Sequence, residues 1–471
     1  MRTVDDSQHL QTHETAADKA IPQGSIHTVE DVKRLAKERG IEFILCSFVE
    51  MSGAPKAKVI PVERLDDADR EGAAFAGFAA GEIGQGPHDP DMVSMPDWRT
   101  LTILPWRPNV AWVAGNVFVE GKPWPYCPRS ILQRQMERAR QQGFVFKTGV
   151  EAEFFLVRRK ENGAIELADP KDALAKPCYD MNTVERNLDF LATLVRYTTE
   201  LGWAPHASDH EDANCQFEVN WLFSDALTTA DRHTFYKFMV KTLADQRGLI
   251  ATFMPKPFAN QTGNGAHFHM SLWDAETGTV NLFEDPNDEN GLSQLAYWWI
   301  GGLLKHAKAL AAVTAPTVNS YKRLIRGAPR SGATWAPVYI TYGGCNRTQM
   351  IRIPAPGRVE NRTVDGSANP YLAATVTLAA GLDGIANRID PGRRNDRNLY
   401  EVPEEELKAE GIGFLPRTLS EALDELEKDD LILDALGREY AAMYLRAKRA
   451  EWERYHNAVS QWEIDTYLPL F

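Results

Sequence analysis

The sequence predicts an α+β protein with a small N-terminal domain and a larger domain built on a curved sheet with flanking helices. The chain of 471 residues exceeds the usual size of a single core, so we expect two domains. Four segments alternate polar with apolar side chains, as strands with one hydrated face do. Between and after them, long stretches carry apolar residues at helical spacing.

The four alternating segments each place polar groups two residues apart, on one face of a strand. They span residues 149–155, 215–221, 266–272 and 358–362. In the first, Glu151 and Glu153 share a face, and neighbouring carboxylates repel each other unless a cation intervenes. One such strand alone is more often a solvated edge. Four of them predict the charged, concave side of a curved sheet.

Carboxylates dominate this charged side. With Glu211 added, the candidate metal ligands are five carboxylates and one imidazole of the segment 266–272, the carboxylates being Glu151, Glu153, Glu211, Glu218 and Glu360. Such ligands suit hard divalent ions such as Mg²⁺ or Mn²⁺ and not a thiolate zinc site. The set predicts a site for more than one metal ion.

The N-terminal part is predicted to be a small mixed α/β domain over residues 25–125. Residues 1–24 are polar, lack the apolar core of a secretory signal, and are expected to form a flexible tail. Thr28 and Asp31 resemble a capping box that begins a helix ending at Gly40. Strands are predicted over 41–49, 56–60, 101–104 and 110–119, whereas the Gly/Ala-rich stretch 72–86 is left unassigned.

The larger domain, residues 126–471, follows a proline-containing boundary at 123–128. Its predicted helices span 130–142, 183–201, 231–246, 292–314, 368–387 and 420–454. The last three are long and have apolar positions at helical spacing, so their Met and Trp side chains are assigned to the core.

Net charge, apolar runs and cysteine spacing argue against several classes of protein. The net charge of −13 argues against a nucleic-acid partner, which requires a basic surface. No apolar run is long enough to span a membrane. The five cysteines are scattered without CxxC spacing, which is typical of reduced thiols in a cytoplasmic protein.

A second group of functional candidates is basic. It comprises Lys322, Arg323, Arg326, Arg330, Arg347, Arg352, Arg358 and Arg362. Such runs are usually solvated, but Arg362 alternates with Glu360, so we expect the group to face the acidic site. Arginine binds carboxylate and phosphate through two parallel hydrogen bonds. Together with divalent metals, the group indicates phosphoryl transfer near a carboxylate substrate, although no Walker loop is present.

An ordered series of motifs carries a family resemblance. It consists of Gly149-Val-Glu-Ala-Glu, His210-Glu211 with Glu218, Met254-Pro-Lys-Pro, Gly263-Asn-Gly-Ala-His-Phe-His, Asn319-Ser-Tyr-Lys-Arg, Asn346-Arg347, Arg358-Val-Glu-Asn-Arg362 and Asn369-Pro-Tyr-Leu. From about residue 27 onward, the chain resembles the glutamine synthetases. The stretch Ser331-Gly-Ala-Thr-Trp-Ala-Pro337 is similar to a type III subgroup that includes γ-glutamylmethylamide synthetase and other γ-glutamyl-amine ligases.

The resemblance implies a fold and an activity. The fold is a small N-terminal β-grasp domain plus a catalytic domain with a curved, mainly antiparallel sheet, assembled as a homododecamer of two hexameric rings. The activity is ATP-dependent ligation of an amine to the γ-carboxyl of L-glutamate through γ-glutamyl phosphate, with two or three Mg²⁺ or Mn²⁺ ions. Phosphorylation makes chemical sense because a carboxylate oxygen is a poor leaving group.

The resemblance also implies residue roles. One metal, near glutamate and the amine, would be held by Glu153, Glu211 and Glu218, and another, at the ATP phosphates, by Glu151, His267 and Glu360. The phosphates and the transferred group would contact His269, Arg347, Arg352 and Arg362. Glutamate would be bound by Arg323 and Gly263. The amine would be deprotonated by Glu50 of a neighbouring subunit, near Tyr179.

Two departures from the family pattern concern the amine. Glu50 stands where the family has an aspartate, and Trp335 stands where ammonia-using members have a flap glutamate, after an apparent insertion at 326–334. Loss of this negative charge and gain of an aromatic wall favour a substituted amine, such as methylamine, another alkylamine or an aromatic amine. The alternative is that the acceptor is ammonia.

Two other function classes fit less well. A catalytically inactive member acting as a binding protein usually lacks a metal ligand, and every ligand position is filled here. A metal-dependent hydrolase would not explain the arginines, and the chain offers no obvious nucleophile.

Overall fold

The computed structural model describes residue 21 and residues 24–81, 85–326 and 336–471. Within these residues the helices are α1 Val29–Arg39, α2 Leu65–Glu71, α3 Pro128–Gln141, α4 Met181–Arg186, α5 Leu188–Glu200, α6 Ala226–Asp245, α7 Gln294–Lys305, α8 Ala307–Thr314, α9 Ser320–Arg323, α10 Pro370–Ala386, α11 Glu404–Ala409, α12 Leu419–Glu427, α13 Asp430–Leu436, α14 Arg438–His456 and α15 Gln461–Tyr467. No helix in these ranges is both long and apolar enough to cross a bilayer.

The strands alternate with these helices along the chain. They are β1 Phe43–Val49, β2 Pro55–Pro61, β3 Ala73–Phe75, β4 Met92–Pro96, β5 Thr102–Leu104, β6 Arg107–Val119, β7 Lys122–Pro123, β8 Phe144–Ala152, β9 Phe154–Arg159, β10 Ile165–Leu167, β11 Pro205–His210, β12 Gln216–Trp221, β13 Ser224–Asp225, β14 Ile250–Thr252, β15 Ala266–Asp274, β16 Tyr339–Ile340, β17 Tyr342–Gly343, β18 Ile351–Ala355, β19 Arg358–Asn361 and β20 Gly413–Phe414.

The N-terminal strands form one sheet with the order β2-β1-β6-β4-β3, and β5 and β7 also pair with β6. The β1–β6 pair is parallel and the others are antiparallel. The helix α1 begins at the predicted capping box of Thr28 and ends at Gly40, whose φ of 69° suits a residue without a Cβ atom. Buried Val32 and Ala36 of α1 pack into a small core against this sheet.

Two further sheets form the wall of the larger part of the chain. Their orders are β10-β9-β12-β11, with β14 paired to β9, and β13-β8-β15-β19-β18-β17. All of these pairs are antiparallel except β17–β18, which confirms a mainly antiparallel, curved sheet structure flanked by helices.

The prediction of one strand over 149–155 is wrong at Glu153. There the chain leaves β8 and enters β9, which belongs to the other sheet. The Glu153 N–H donates to the Gly265 carbonyl at 3.1 Å, and no ladder partner is paired to it. The four polar segments therefore lie in two sheets, with Glu153 at their junction.

Three predicted helices are interrupted: the segment 183–201 divides into α4 and α5 at Asn187, and two longer helices are also divided. The segment 292–314 divides into α7 and α8 at His306, and the segment 420–454 divides into α12, α13 and α14. The break between α7 and α8 coincides with a buried ion cluster, since His306 Nε2 lies 3.0 Å from Asp383 and Nδ1 lies 2.6 Å from Asp429. His306 thus connects the α7–α8 junction to α10 and to the start of α13, and this contact depends on residues distant in sequence.

The His306 cluster predicts a pH-dependent stability. Burial opposes protonation, but Asp429 and Asp383 raise the His306 pKa above its usual value of 6.5. A raised folded-state pKa contributes stability that is present below pH 6.5 and is lost as the pH rises through the folded value. We therefore expect the melting temperature to decline with rising pH more steeply in the wild type than in His306→Gln, as measured by differential scanning fluorimetry. Parallel pH profiles would contradict this assignment.

Candidate active site

A cavity of about 820 Å³ gathers most of the predicted site residues on the two sheets of the larger part. Its walls include Glu151, Glu153, Tyr179, Glu211, Glu218, Gly263, His267, His269, Arg323, Arg347, Arg352 and Arg362. Glu360 lies directly behind this surface, fully buried. Trp335 lies outside the described residues.

Strand register places the imidazoles among the carboxylates. β15 lies between β8 and β19, with His267 opposite Glu151 and His269 opposite Glu360. His267 Nδ1 lies 3.6 Å from a Glu151 oxygen and 3.8 Å from a Glu360 oxygen. His269 Nε2 lies 2.9 Å from the other Glu151 oxygen. The period-two alternation read from the sequence thus brings these four side chains together.

Glu360 is held between two arginines. Its carboxylate accepts hydrogen bonds from Arg352 at 2.8 Å and from Arg362 at 2.5 Å. Burial opposes its ionisation, but Arg362, the two imidazoles and Arg352 lower the pKa of Glu360 to about 2. The carboxylate is therefore charged at neutral pH, and it fixes the two guanidinium groups at the cavity wall.

Glu153 is oriented by backbone and amide donors. One carboxylate oxygen accepts from the Gly265 N–H at 2.6 Å and from the Gln216 side chain at 3.2 Å. The same Gln216 amide group donates to the Gly263 carbonyl at 3.1 Å. The other oxygen lies 3.8 Å from His267 Nε2, so Glu153 presents it toward the cavity.

Several carboxylates of the cavity lie close together, and this cluster, called here the acidic end, is formed by Asp209, Glu211, Asp212 and Glu218. Burial, followed by the charge of Glu153, raises the pKa of Glu211 well above its usual value. Burial and the charge of Glu211 do the same for Glu218. Carboxylates that destabilise each other's ionisation in this way are stabilised by a bound cation.

The ligand atoms cluster into three groups suited to divalent ions. Within each group the atoms lie within 4.8 Å of one another, and the groups are Glu151 with His267 and Glu360, Glu153 with Glu218 and His267, and Asp209 with Glu211 and Glu218. Oxygen-rich sets with one imidazole fit Mg²⁺ or Mn²⁺. The second group differs from the set expected on family resemblance because His267 replaces Glu211.

Asp209 is a functional candidate that sequence reasoning missed. It joins Glu211 and Glu218 in the third ligand group and lines the cavity. Its spacing of two residues from Glu211 was the available signal, because such residues share a face in an extended chain.

Arginines also line this cavity, and the group called here the arginine end is formed by Arg347, Arg352, Arg358 and Arg362. Arg323 also lines the cavity and is buried, and it donates to the carbonyls of Thr363 and Arg362 at 3.1 and 3.0 Å.

The prediction that the whole basic group faces the site is wrong for two members. Lys322 lies over the Tyr455 ring, 5.2 Å from its centroid, and Arg326 pairs with Glu404 at 3.1 Å. Arg330 lies outside the described residues. The error arises because consecutive charged residues of α9 and the turn after it point in different directions.

The backbone has an unusual feature at both Gly263 and Tyr179, a close contact at the first and a positive φ at the second. A Cβ atom on Gly263 would lie 2.4 Å from the Pro255 carbonyl oxygen, so only glycine allows this close approach. Tyr179 has a φ of 62° and donates its N–H to the His210 carbonyl at 3.0 Å. Partial burial, Cys178 and Glu211 raise the pKa of its hydroxyl to about 12, so it remains protonated at the acidic end.

Glu50 is not among the described residues that line this cavity of its own chain. Its carboxylate accepts hydrogen bonds from the Ser52 N–H at 2.9 Å and the Ala54 N–H at 3.1 Å, within the β1–β2 turn. Asn369 donates to the Glu50 carbonyl at 3.0 Å and anchors that turn on the N-terminus of α10. Any role of Glu50 in catalysis therefore requires the cavity of another subunit.

Asp172 supports the acidic end from behind, and no local sequence pattern indicated it. Its buried carboxylate lies 2.9 Å from His210 Nε2 and accepts from the Asn214 amide at 2.9 Å and the Cys215 N–H at 2.6 Å. These donors flank Glu211 in the chain. Cys215 has a φ of 57°, a conformation that non-glycine residues rarely adopt, so the segment needs such support.

We expect Asp172→Asn to lower activity by about 10- to 100-fold. The asparagine side chain would place an NH2 group against His210, Asn214 and the Cys215 N–H, which now donate to the carboxylate, and so at least one of these hydrogen bonds would be lost. Asp169→Asn is the matched control, since Asp169 lies in the same loop but pairs with Arg186 at 2.6 Å. Steady-state rates over a Mg²⁺ titration, together with melting curves, measure the effect. Equal rates for the two variants would show that Asp172 does not position Glu211.

Sequence comparisons agree with the geometry of this cavity. The family described as glutamine synthetase, catalytic domain, matches residues 125–467. A glutamine synthetase of Rhizobium meliloti is 46% identical over 440 residues, covering 93% of this chain and 99% of the relative. A glutamate–methylamine ligase of Methyloversatilis universalis is 47% identical over 444 residues, covering 94% and 99%.

A solved structure is also similar along nearly the whole chain. The structure titled "GmaS/ADP complex-Conformation 1" superposes with a TM-score of 0.87 at 48% identity, covering 93% of this chain and 99% of that one. Members of this family use ATP and divalent metals to join glutamate to an amine. The chain therefore belongs to the glutamine synthetase family, in which it is an ATP-dependent glutamate–amine ligase.

Proposed function

We propose that this ligase joins a substituted amine, such as methylamine, another alkylamine or an aromatic amine, to the γ-carboxyl of L-glutamate through γ-glutamyl phosphate. The observation that carries the proposal is that one cavity is lined both by a cluster of carboxylates and by a group of arginines. The carboxylates attract an alkylammonium ion, and the arginines attract the ATP phosphates.

The arginine end would serve phosphoryl transfer. A γ-carboxylate oxygen of glutamate attacks the γ-phosphorus of ATP, the bond from that phosphorus to the bridging oxygen breaks, and ADP leaves. Arg347 and Arg362 neutralise charge on the transferred group, while Arg352 and His269 hold the phosphates. Arg323 and Gly263 orient the glutamate. The result is an acyl phosphate with a good leaving group.

The acidic end would serve the amine. The ammonium form must lose a proton before its nitrogen can attack the acyl carbon, because an alkylamine has a pKa near that of lysine, about 10.4. We assign this deprotonation to Glu50 of a neighbouring subunit, beside Tyr179. Attack forms the C–N bond, and the C–O bond to phosphate breaks.

Metal ions are part of the proposed site. Glu153, Glu211 and Glu218 would hold one ion, and Glu151, His267 and Glu360 another, with two to three Mg²⁺ or Mn²⁺ ions in all. When bound, these ions neutralise charge on the phosphates and carboxylates. Asp209 supplies the additional ligand that a third ion would need.

Two features support a substituted acceptor. Cys178 and Tyr179 line the cavity beside the acidic end, and their thiol and ring offer a less polar surface to an alkyl or aryl group. The relative from Methyloversatilis universalis, 47% identical, carries the name glutamate–methylamine ligase. Ammonia is the alternative acceptor, because the relative from Rhizobium meliloti, 46% identical, is named glutamine synthetase.

The assignment of Glu50 requires an oligomer, and we propose a homododecamer of two hexameric rings with active sites between subunits. We further propose a division into a tail over 1–24, a β-grasp domain over 25–125 and a catalytic domain over 126–471. Supporting this division, the first sheet contains strands only from residues 43–123, and the family match begins at residue 125.

A panel of acceptors tests the proposal. We expect kcat/KM for methylamine or aniline to exceed that for ammonia by at least about tenfold, since loss of one binding interaction is worth about that factor. ADP release should require both glutamate and the amine, which separates ligation from simple ATP hydrolysis. A clear preference for ammonia would instead establish glutamine synthesis.

A further inference from the structure

A second cavity, of about 760 Å³, lies between the N-terminal sheet and the helices α5 and α6. It shares no lining residue with the catalytic cavity. Its volume falls within the range of about 300–1,000 Å³ that is typical of small-molecule sites. No step of the proposed reaction uses it.

This second cavity is lined by charged residues of both signs, and one of them is an arginine that pairs with no described carboxylate. Arg232 of α6 lines the cavity, and in the part of the chain that the structure describes it has no hydrogen-bond or ion-pair partner. Its guanidinium lies over the Trp203 ring, 5.8 Å from the centroid. Burial lowers the pKa of Arg232, and only the charge of Asp225 opposes this effect.

Arg129, unlike Arg232, has anionic partners for its guanidinium group. Arg129 is buried, and its guanidinium donates to Asp231 at 2.9 and 3.0 Å and to Asp97 at 2.9 Å. Asp231 also accepts from the Tyr371 hydroxyl at 2.6 Å, so it is occupied and does not neutralise Arg232. A largely desolvated guanidinium without an anion is unfavourable, and an anionic ligand would relieve that cost.

The remaining walls combine apolar and aromatic side chains with polar ones, among them Thr100, Thr102, Thr228 and Glu200. Leu104 and Trp112 of the sheet and Phe235 of α6 are buried side chains that line the cavity, together with Trp203. Such walls exclude inorganic ions as good ligands and favour a molecule with an apolar body. Arg39 and Arg99 also line the cavity, as does the carboxylate of Glu200, and Arg99 pairs with Asp97 at 2.8 Å.

We propose that this cavity is a second ligand site, which binds a small organic carboxylate with an apolar, preferably aromatic, body. The carboxylate pairs with the guanidinium of Arg232, and the body packs against Trp112, Trp203 and Phe235. The proposal is independent of every role assigned to the catalytic cavity.

Calorimetric titration of the full chain with cinnamate tests the proposal, with ADP, glutamate and Mg²⁺ saturating the catalytic cavity. We expect one binding event per chain, and at least about tenfold weaker binding to Arg232→Met. Arg247→Met is the matched control. Arg247 likewise lies over an aromatic ring, 5.4 Å from the Phe190 centroid, but lines neither cavity, so its removal should change the affinity less than about twofold.

A neutral analogue keeps the test decisive if Arg232→Met fails to fold. Cinnamyl alcohol has a similar shape without the charge, and it should bind the wild type at least about tenfold more weakly than cinnamate. Three results would overturn the proposal: no heat of binding with cinnamate up to about 5 mM, equal affinities for wild type and folded Arg232→Met, or equal affinities for the acid and the alcohol.

Discussion

Glu360→Gln is expected to lower kcat at least about a hundredfold, the scale reported for loss of one group that stabilises transferred charge. The carboxylate is fully buried, it accepts from Arg352 and Arg362, and its low pKa of about 2 keeps it charged. The amide is neutral, so it no longer balances the two guanidinium groups, and it is a weaker ligand for a divalent cation. Initial rates of ADP release at increasing Mg²⁺ concentrations measure the loss.

Glu427→Gln is the control for this substitution. Glu427 is a solvent-accessible carboxylate that also pairs with an arginine, Arg449, at 2.7 Å, far from any cavity residue in sequence. Surface pairs of this kind contribute at most about 1 kcal/mol, so its kcat should remain within about twofold of wild type. A Glu360→Gln enzyme that retains more than about a tenth of wild-type kcat at saturating Mg²⁺ would contradict the proposed role of Glu360.

Arg129→Met is expected to destabilise the fold by about 3–5 kcal/mol, because it leaves buried carboxylates without their counter-charge. Arg129 of α3 connects Asp97, beside the N-terminal sheet, to Asp231 of α6, and it also donates to Asn116 at 3.0 Å. The substitution should lower the midpoint of thermal unfolding by roughly 3–5 °C, because an unfolding entropy of about 2.1 cal/mol/K per residue amounts to about 1 kcal/mol/K for 471 residues. Calorimetry of the unliganded protein measures the shift.

A second substitution identifies the cause. If the penalty comes from an uncompensated charge, Asp231→Asn in the Arg129→Met background should restore part of the lost stability. Arg449→Met, which removes a solvent-accessible ion pair, should shift the midpoint by much less. Equal shifts for Arg129→Met and Arg449→Met would mean that the buried cluster does not hold the two parts of the chain together.

Much of the candidate site was predictable because the signal is local. Alternation with a period of two placed His267 with His269 on one face of β15 without any knowledge of the partner strands, and it selected Glu151 and Glu153 although the strand breaks at Glu153. The chemistry of these side chains then indicated divalent metals and phosphates. The grouping of arginines was less reliable, since Lys322 and Arg326 turn toward Tyr455 and Glu404.

Other features were not predictable because their causes are distant in sequence. The helix break at His306 reflects its contact with Asp429, 123 residues away, and no pattern within 292–314 contains that information. Asp172 contacts His210, which is 38 residues away in sequence, and no motif around Asp172 marks it as important. The unpaired state of Arg232 depends on which carboxylates the fold has already assigned to Arg129.

The sequence by itself determined the chemical composition of this protein's candidate catalytic surface, since strand periodicity and side-chain type are properties of a few adjacent residues. Only the tertiary structure decided that the polar segments divide between two sheets at Glu153, and that carboxylates, imidazoles and arginines line one cavity. The physical reason is that pairing, burial and electrostatic balance are set by groups brought together from distant parts of the chain.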